Sequence, residues 1–265
     1  MNLEQRFQAL QQADEAALIV YITAGDPSLE QLPEILKVLR DAGADMVEVG
    51  FPFSDPLADG PVIQAAMDRA LAKGVTPPRI LEMVAHCRAE IETPLIAFTY
   101  YNPVLRYGQE RFAHDARAAG FDACLITDLP PDEADEWLPY ARAAGLQTIF
   151  LLTPTSTAAR IRLVAERGQG FIYCVSRTGV TGARDELPPD LPDLIARIRE
   201  QTALPIAVGF GISKPEHVRT VARIADGAVV GSQVVHYLHE YADSPHWAKV
   251  VGDFVRVLKS ACKRG

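Results

Sequence analysis

Asp41-Ala42-Gly43-Ala44-Asp45-Met46-Val47-Glu48-Val49-Gly50-Phe51-Pro52-Phe53-Ser54-Asp55-Pro56-Leu57-Ala58-Asp59-Gly60-Pro61 is the stretch on which the reading of the fold turns. It opens with the end of an amphipathic helical segment, where Gly43 can take the left-handed cap conformation. Met46 to Val49 is then a short apolar run with the character of a buried strand, broken only by a carboxylate. Burying an ionisable carboxyl costs several kcal/mol or drives it neutral, so packing does not call for Glu48 and chemistry does. Beyond it Pro52, Pro56 and Pro61 fix backbone angles and deny helix, and Asp55 and Asp59 make the loop acidic. A strand that hands a carboxylate to a stiff loop has the construction of an active-site rim.

The same unit recurs along the chain. Apolar, β-branched runs occur at Leu18 to Thr23, Met46 to Val49, Leu95 to Phe98, Ala123 to Thr127 and Thr148 to Leu152, and again at Phe171 to Val175, Pro205 to Phe210 and Gly227 to Val230. They are continuous rather than alternating, the pattern of parallel strands covered on both faces. Amphipathic helical segments separate them: Leu29 to Asp41, Pro61 to Lys73 with Pro78 to Ala89, Glu110 to Ala119, Asp132 to Ala144, Ala158 to Arg167, Leu191 to Gln201 and Pro215 to Ala222. Asp41-Ala42-Gly43, Ala118-Ala119-Gly120 and Ala143-Ala144-Gly145 punctuate them alike. One helix, Leu3 to Ala13, precedes the first strand, and one long segment, Val234 to Lys263, closes the chain. With no linker or shift of composition, the expectation is an α/β fold, a single (β/α)8 (TIM) barrel domain over 1–265, rather than a doubly wound sheet.

Composition narrows the function. The 265 residues are 48% hydrophobic and 23% charged, ordinary for a globular chain. A net charge of -8 argues against broad contact with nucleic acid or an anionic membrane, though not against a local pocket for one small anion. No signal-peptide pattern and no apolar run near membrane-spanning length is present, so a soluble, cytoplasmic protein is expected. Cys87, Cys124, Cys174 and Cys262 form no CxxC pair, and His236 and His239 share a helix face without a third ligand nearby, so neither a disulfide framework nor a metal site is indicated.

In such a barrel the site lies at the carboxyl ends of the strands. Three loops there carry chemistry. The first is the Glu48 to Pro61 run. The second, Ser176 to Asp190, is long for its place and carries two glycines, so it reads as a mobile lid or a flexible surface loop. The third combines Gly209-Phe210-Gly211 after the seventh strand with Gly231-Ser232 after the eighth, where bare backbone N–H groups can approach a phosphate.

At this level of detail Tyr21 to Pro27 (YITAGDP), Val47 to Pro61 (VEVGFPFSDPLADGP), Tyr173 to Gly182 (YCVSRTGVTG) and Val208 to Val218 (VGFGISKPEHV) match family motifs. The chain resembles the tryptophan synthase alpha subunit family over nearly its whole length. The resemblance implies retro-aldol cleavage of indole-3-glycerol phosphate to indole and glyceraldehyde 3-phosphate, with indole passed to a beta subunit in an alpha2beta2 tetramer. It implies no cofactor in this chain and pyridoxal phosphate in the partner. It assigns catalysis to Glu48 and Asp59: one raised-pKa carboxyl protonating indole C3 and then taking the side-chain hydroxyl proton, the other accepting a hydrogen bond from the indole N–H. By the same resemblance Tyr21, Phe98, Leu125, Tyr173 and Phe210 line the indole pocket, and Tyr100 stands on the substrate side. Gly182, Gly209, Gly211, Gly231 and Ser232 hold the phosphate, Thr181 folds over Asp59, and Pro52, Asp55 and Asn102 are candidates for partner contact.

Three rivals fit parts of the pattern. A Schiff-base aldolase needs a lysine at a strand end, and of Lys37, Lys73, Lys214, Lys249, Lys259 and Lys263 only Lys214 lies near the active face. A sugar-phosphate isomerase would use the phosphate site with a carboxylate base but leaves Asp59 and the acidic loop unexplained. A barrel that has lost catalysis and serves only to bind a partner is opposed by the intact Glu48 and Asp59.

Overall fold

Eight parallel strands pair in chain order and close: β1 (Ala17–Thr23), β2 (Met46–Gly50), β3 (Leu95–Thr99), β4 (Ala123–Ile126), β5 (Gln147–Leu152), β6 (Ile172–Val175), β7 (Ile206–Gly209) and β8 (Gly227–Val230), with β8 returning to β1. The computed structural model describes residues 2–175, 188–209 and 211–264. Among these the helices are α1 (Leu3–Gln12), α2 (Leu32–Asp41), α3 (Pro61–Ala72), α4 (Pro77–Cys87), α5 (Tyr101–Tyr107), α6 (Gln109–Ala119), α7 (Trp137–Ala144), α8 (Ala158–Arg167), α9 (Leu191–Arg199), α10 (Pro215–Ala222), α11 (Ser232–Glu240) and α12 (Trp247–Ser260). The fold is the expected (β/α)8 barrel.

Continuous apolar strands suit it because both faces are covered. Outward side chains such as Leu18, Val20 and Val47 join Leu36, Leu39, Phe112 and Trp137 in one core between sheet and helices. Inward side chains, among them Ile19, Met46, Ile96, Leu125 and Ile149, fill the barrel in a second core. Each large apolar side chain buried in this way contributes about 1.5–3 kcal/mol. At the lower end α1 inserts Leu3, Phe7 and Leu10, and the Phe7 ring meets Phe171 edge-on with centroids 5.7 Å apart. The glycine caps behave as their sequence predicts, with φ of +96° at Gly43, +107° at Gly120 and +72° at Gly145.

The lower end carries a repeated device. Asp45, Asp122 and Asp226 stand immediately before β2, β4 and β8, and each both donates its backbone N–H to the preceding strand and accepts one with its carboxylate. Asp45 takes Leu18 N at 2.8 Å, Asp122 takes Leu95 N at 3.2 Å and Asp226 takes Ile206 N at 2.9 Å. Basic side chains complete each clasp: Lys259 on Asp45 at 2.9 Å, Arg88 and Arg117 on Asp122 at 3.0 and 3.1 Å, and Arg199 on Asp226 at 2.6 Å. Before β6 Phe171 takes the place of an aspartate, and the N–H of Gln169, two residues earlier, bonds Thr148 O at 2.9 Å.

Several boundaries differ from the sequence reading, chiefly at prolines. α2 starts at Leu32 rather than Leu29 because Pro33, lacking an N–H, belongs in a first turn. The segment expected from Asp132 is a 3-10 turn at Pro131–Glu133 followed by α7 from Trp137, with Pro139 again in the first turn. α5 was not anticipated. The closing segment is not continuous: α11 ends at Glu240 and α12 begins at Trp247, separated by the Ala242-Asp243-Ser244-Pro245 break. All four cysteines are buried and free. Removing the buried carboxylate of one clasp while leaving its cations should be costly, so Asp122→Ala is expected to lower stability by about 2–4 kcal/mol in denaturant unfolding. A change below about 0.5 kcal/mol would mean that the clasp is not structural.

Candidate active site

Glu48 points into the barrel from the middle of β2, paired in register with Tyr21 on β1 and Ile96 on β3. It is 1% exposed, and neither carboxylate oxygen has a hydrogen-bond partner among the described residues. A buried polar group without a partner is exceptional and points to a function in which the partner arrives later. Burial first, and the nearby Asp59 second, push the Glu48 carboxyl up to about 8. It is a neutral acid at neutral pH.

Asp59 reaches the same space from the acidic loop, one residue before Gly60, the N-cap of α3. It too is 1% exposed, but it is bonded: the Tyr100 hydroxyl donates to Oδ2 at 2.5 Å. Burial raises Asp59 to about 6 and the Tyr100 hydrogen bond opposes the rise. The same hydroxyl accepts from Ala58 N at 3.1 Å, so Tyr100 ties loop and carboxylate to the end of β3. Gln64 on α3 clamps the loop from the other side, donating to Asp59 O at 2.9 Å and Pro56 O at 3.3 Å. The Phe53 and Tyr100 rings pack with centroids 5.2 Å apart. Environment thus separates the two acids: at pH 7 Glu48 keeps its proton and Asp59 is mostly ionised.

The walls come from strands facing these carboxyls. Tyr21, Phe98, Leu125 and Tyr173 are all buried inside the barrel, and Tyr21 meets Phe98 edge-on at 5.0 Å. Two glycines make room for the tyrosines. A β-carbon on Gly50 would lie 2.1 Å from the Tyr21 hydroxyl, and one on Gly209 would lie 2.0 Å from that of Tyr173. Gly50 escaped the sequence reading, although a glycine at a strand end beside a buried tyrosine on the neighbouring strand is the available signal. Tyr21 Oη lies 3.3 Å from Thr23 Oγ1, and burial followed by the field of Asp59 raises its pKa, so the phenol stays protonated.

At the ends of β7 and β8, Gly211 is exposed with φ +83°, while Gly231 caps α11 and Ser232 begins it. α11 begins directly after β8, and the first-turn N–H groups of a helix, which have no partner within it, favour an anion. Thr181, Gly182 and Phe210, and with them the core of the proposed lid, lie outside the described residues. On the rim Asp55 and Asn102 are exposed, whereas Pro52 is buried under the loop. Leu57, 83% exposed at the loop tip, and Leu105 on α5 are apolar rim residues that the sequence reading did not single out. Among the described residues no group of three or more His, Cys, Asp or Glu is arranged to hold a metal, and His236 instead lies 3.2 Å from Glu240.

Comparison with known proteins accords with this geometry. Residues 7–261 match the family model described as tryptophan synthase alpha chain. The tryptophan synthase alpha chain of Geobacter sp. (strain M21) is 48% identical over 264 residues, covering 100% of this chain and 98% of the relative. That of Geotalea uraniireducens is 49% identical over 257 residues, covering 97% and 96%. Among solved structures, the tryptophan synthase alpha chain of Legionella pneumophila superposes with a TM-score of 0.89 at 35% identity, covering 99% of this chain and 97% of that one. A chain of Mycobacterium tuberculosis tryptophan synthase superposes with a TM-score of 0.91 at 35% identity, covering 99% and 98%.

The buried acid has a thermodynamic signature. A glutamate in an unfolded chain ionises near about 4.3, whereas Glu48 holds its proton to about 8. Between those values folding takes up a proton, so stability falls as pH rises and levels off above about 8. Glu48→Gln cannot ionise and should flatten the decline, leaving the variant more stable than the parent at pH 8 and above by a few kcal/mol. Parallel stability-versus-pH curves for the two proteins would show that Glu48 is solvated.

Proposed function

The chain belongs to the tryptophan synthase alpha chain family, and from that premise we infer that it cleaves indole-3-glycerol phosphate to indole and glyceraldehyde 3-phosphate. The indole passes to a beta subunit for tryptophan synthesis. The observation that carries the mechanism is the pair of buried carboxyls in opposite states, Glu48 unbonded and Asp59 held by Tyr100.

Protonated Glu48 delivers its proton to indole C3, which makes the ring an electron sink. Asp59, as carboxylate, accepts a hydrogen bond from the indole N–H, and that bond strengthens as positive charge grows on nitrogen in the indolenine. The bond from C3 to the side chain then breaks, its electrons return to the ring, and the adjacent hydroxyl becomes the aldehyde as its proton goes to the Glu48 carboxylate. Glu48 ends as it began, and no water is consumed. Tyr100 is in this reading a positioning residue: its bond orients Asp59 and keeps it ionised below pH 7. Tyr21, Phe98, Leu125 and Tyr173, with Phe210, form the indole walls. Gly211, Gly231 and Ser232, with Gly182 and Gly209, take the phosphate, and Thr181 closes over Asp59.

The chain's own carboxyls supply both proton transfers, and pyridoxal phosphate is assigned to the partner. Asp55, Asn102 and the exposed Leu57 form the docking rim, with Pro52 bracing it from beneath, in an alpha2beta2 tetramer. The whole chain acts as one domain, and we place the enzyme in the cytoplasm. No helix among the described residues is long and apolar enough to cross a membrane.

Glu48→Gln should reduce indole release from indole-3-glycerol phosphate by about 10³-fold or more while binding of glycerol phosphate persists; retained turnover would move the proton transfers elsewhere. For the parent, kcat/KM should rise through an apparent pKa near 6 and fall through one near 8, values that belong to the coupled pair. A profile flat from pH 5 to 9 would contradict the assigned protonation states. Leu57→Asp should weaken activation by added beta subunit at least about tenfold with little change in the isolated rate. Unaltered activation would remove Leu57 from the docking rim.

A further inference from the structure

At the end of the barrel away from the carboxyls, a cavity of about 590 Å³ opens between α1 and the starts of β5 to β8. Its volume is that of a small-molecule pocket. The clasp pattern fails here, since Phe171 rather than an aspartate directly precedes β6. Two lining residues hold buried polar atoms with no hydrogen-bond partner among the described residues, Gln147 Oε1 and Arg264 Nε. One is an acceptor and the other a charged donor. Both residues are part-exposed and belong to the cavity lining. Beside Gln147 the chain is bare: a β-carbon on Gly170 would crowd Oε1 at 3.0 Å.

Charge is divided across the space. Asp226 lies between Arg199 at 2.6 Å and Arg264 at 3.3 Å, so two guanidiniums gather at that edge, while Glu4 and Glu15 line the α1 side. Glu4 accepts from Gln8 Nε2 at 3.4 Å, and Glu15 is paired with Lys259 at 2.9 Å. Phe7, Leu204 and Pro205 add an apolar wall.

We propose that this cavity is a second ligand site, for an α-amino acid with an apolar side chain. The carboxylate would bind Arg264 Nε–H beside Arg199, and the ammonium would donate to Gln147 Oε1 on the Glu4 side. The side chain lies on Phe7, Leu204 and Pro205. The class includes the end product for which the family is named, and the proposal is independent of the reaction at the opposite end.

The test is protein-observed NMR of the full chain titrated with L-phenylalanine and L-tryptophan, with 3-phenylpropionate and 2-phenylethylamine as probes lacking one charge each. Saturable shifts confined to amides such as Gln169, Gly170 and Leu204 are expected. Gln147→Leu and Arg264→Lys should each weaken binding about tenfold with indole release unchanged, and either variant suffices if the other fails to fold. The single-charge probes should bind at least about tenfold more weakly than L-phenylalanine. Equal binding of 3-phenylpropionate would reduce the site to a general anion pocket and overturn the proposal. So would shifts elsewhere in the barrel, or no saturation up to roughly 10 mM amino acid.

Discussion

A closed ring of parallel strands allows an inward side chain no path to water except through an end of the barrel, and the chemistry of this protein follows from that confinement. On an open sheet, a glutamate in the middle of β2 could turn toward solvent; here it is sealed in beside Tyr21 and Ile96. Its proton is retained because ionising it would place an uncompensated charge in a dry interior. Asp59 enters the same interior from the rim and brings a bond with it, so its pKa rises less. One enclosure thus yields an acid and a carboxylate side by side.

The two ends of the strands divide the labour. Below, Asp45, Asp122 and Asp226 turn strand beginnings into paired, charge-compensated joints, and their cost of burial is offset by backbone N–H groups and basic side chains. Above, the carboxyls are left under-bonded. Stability is invested where the barrel is fixed, and polar groups are spared where a ligand must supply the missing partner.

Much of the fold was legible because parallel strands buried on both faces leave continuous apolar runs, and glycine caps mark the helix ends. What escaped obeyed local rules that apolar periodicity does not record. Pro33 and Pro139 moved helix starts, and Pro245 lies in the break that divides the closing segment. Glu48 was legible as a charge out of place, and Asp59 through resemblance. The Tyr100 bond to Asp59 was not, because one partner follows β3 and the other sits in the loop before α3, forty-one positions apart. Gly50 was obscure for a related reason, as was the room Gly209 makes for Tyr173: each fit is defined by a tyrosine that only the barrel brings near. The aspartate clasps escaped too, although each recurs at the same place before a strand.

The sealed thiols carry a practical consequence. Cys87, Cys124, Cys174 and Cys262 are at most 3% exposed, and burial raises the pKa of each, so all resist alkylation in the folded chain. A cysteine introduced in place of Leu57 would be the sole accessible thiol, and a maleimide dye attached there would label the loop tip alone. The native chain thereby comes ready for fluorescence reporting of events at its rim, with no need to delete its own cysteines.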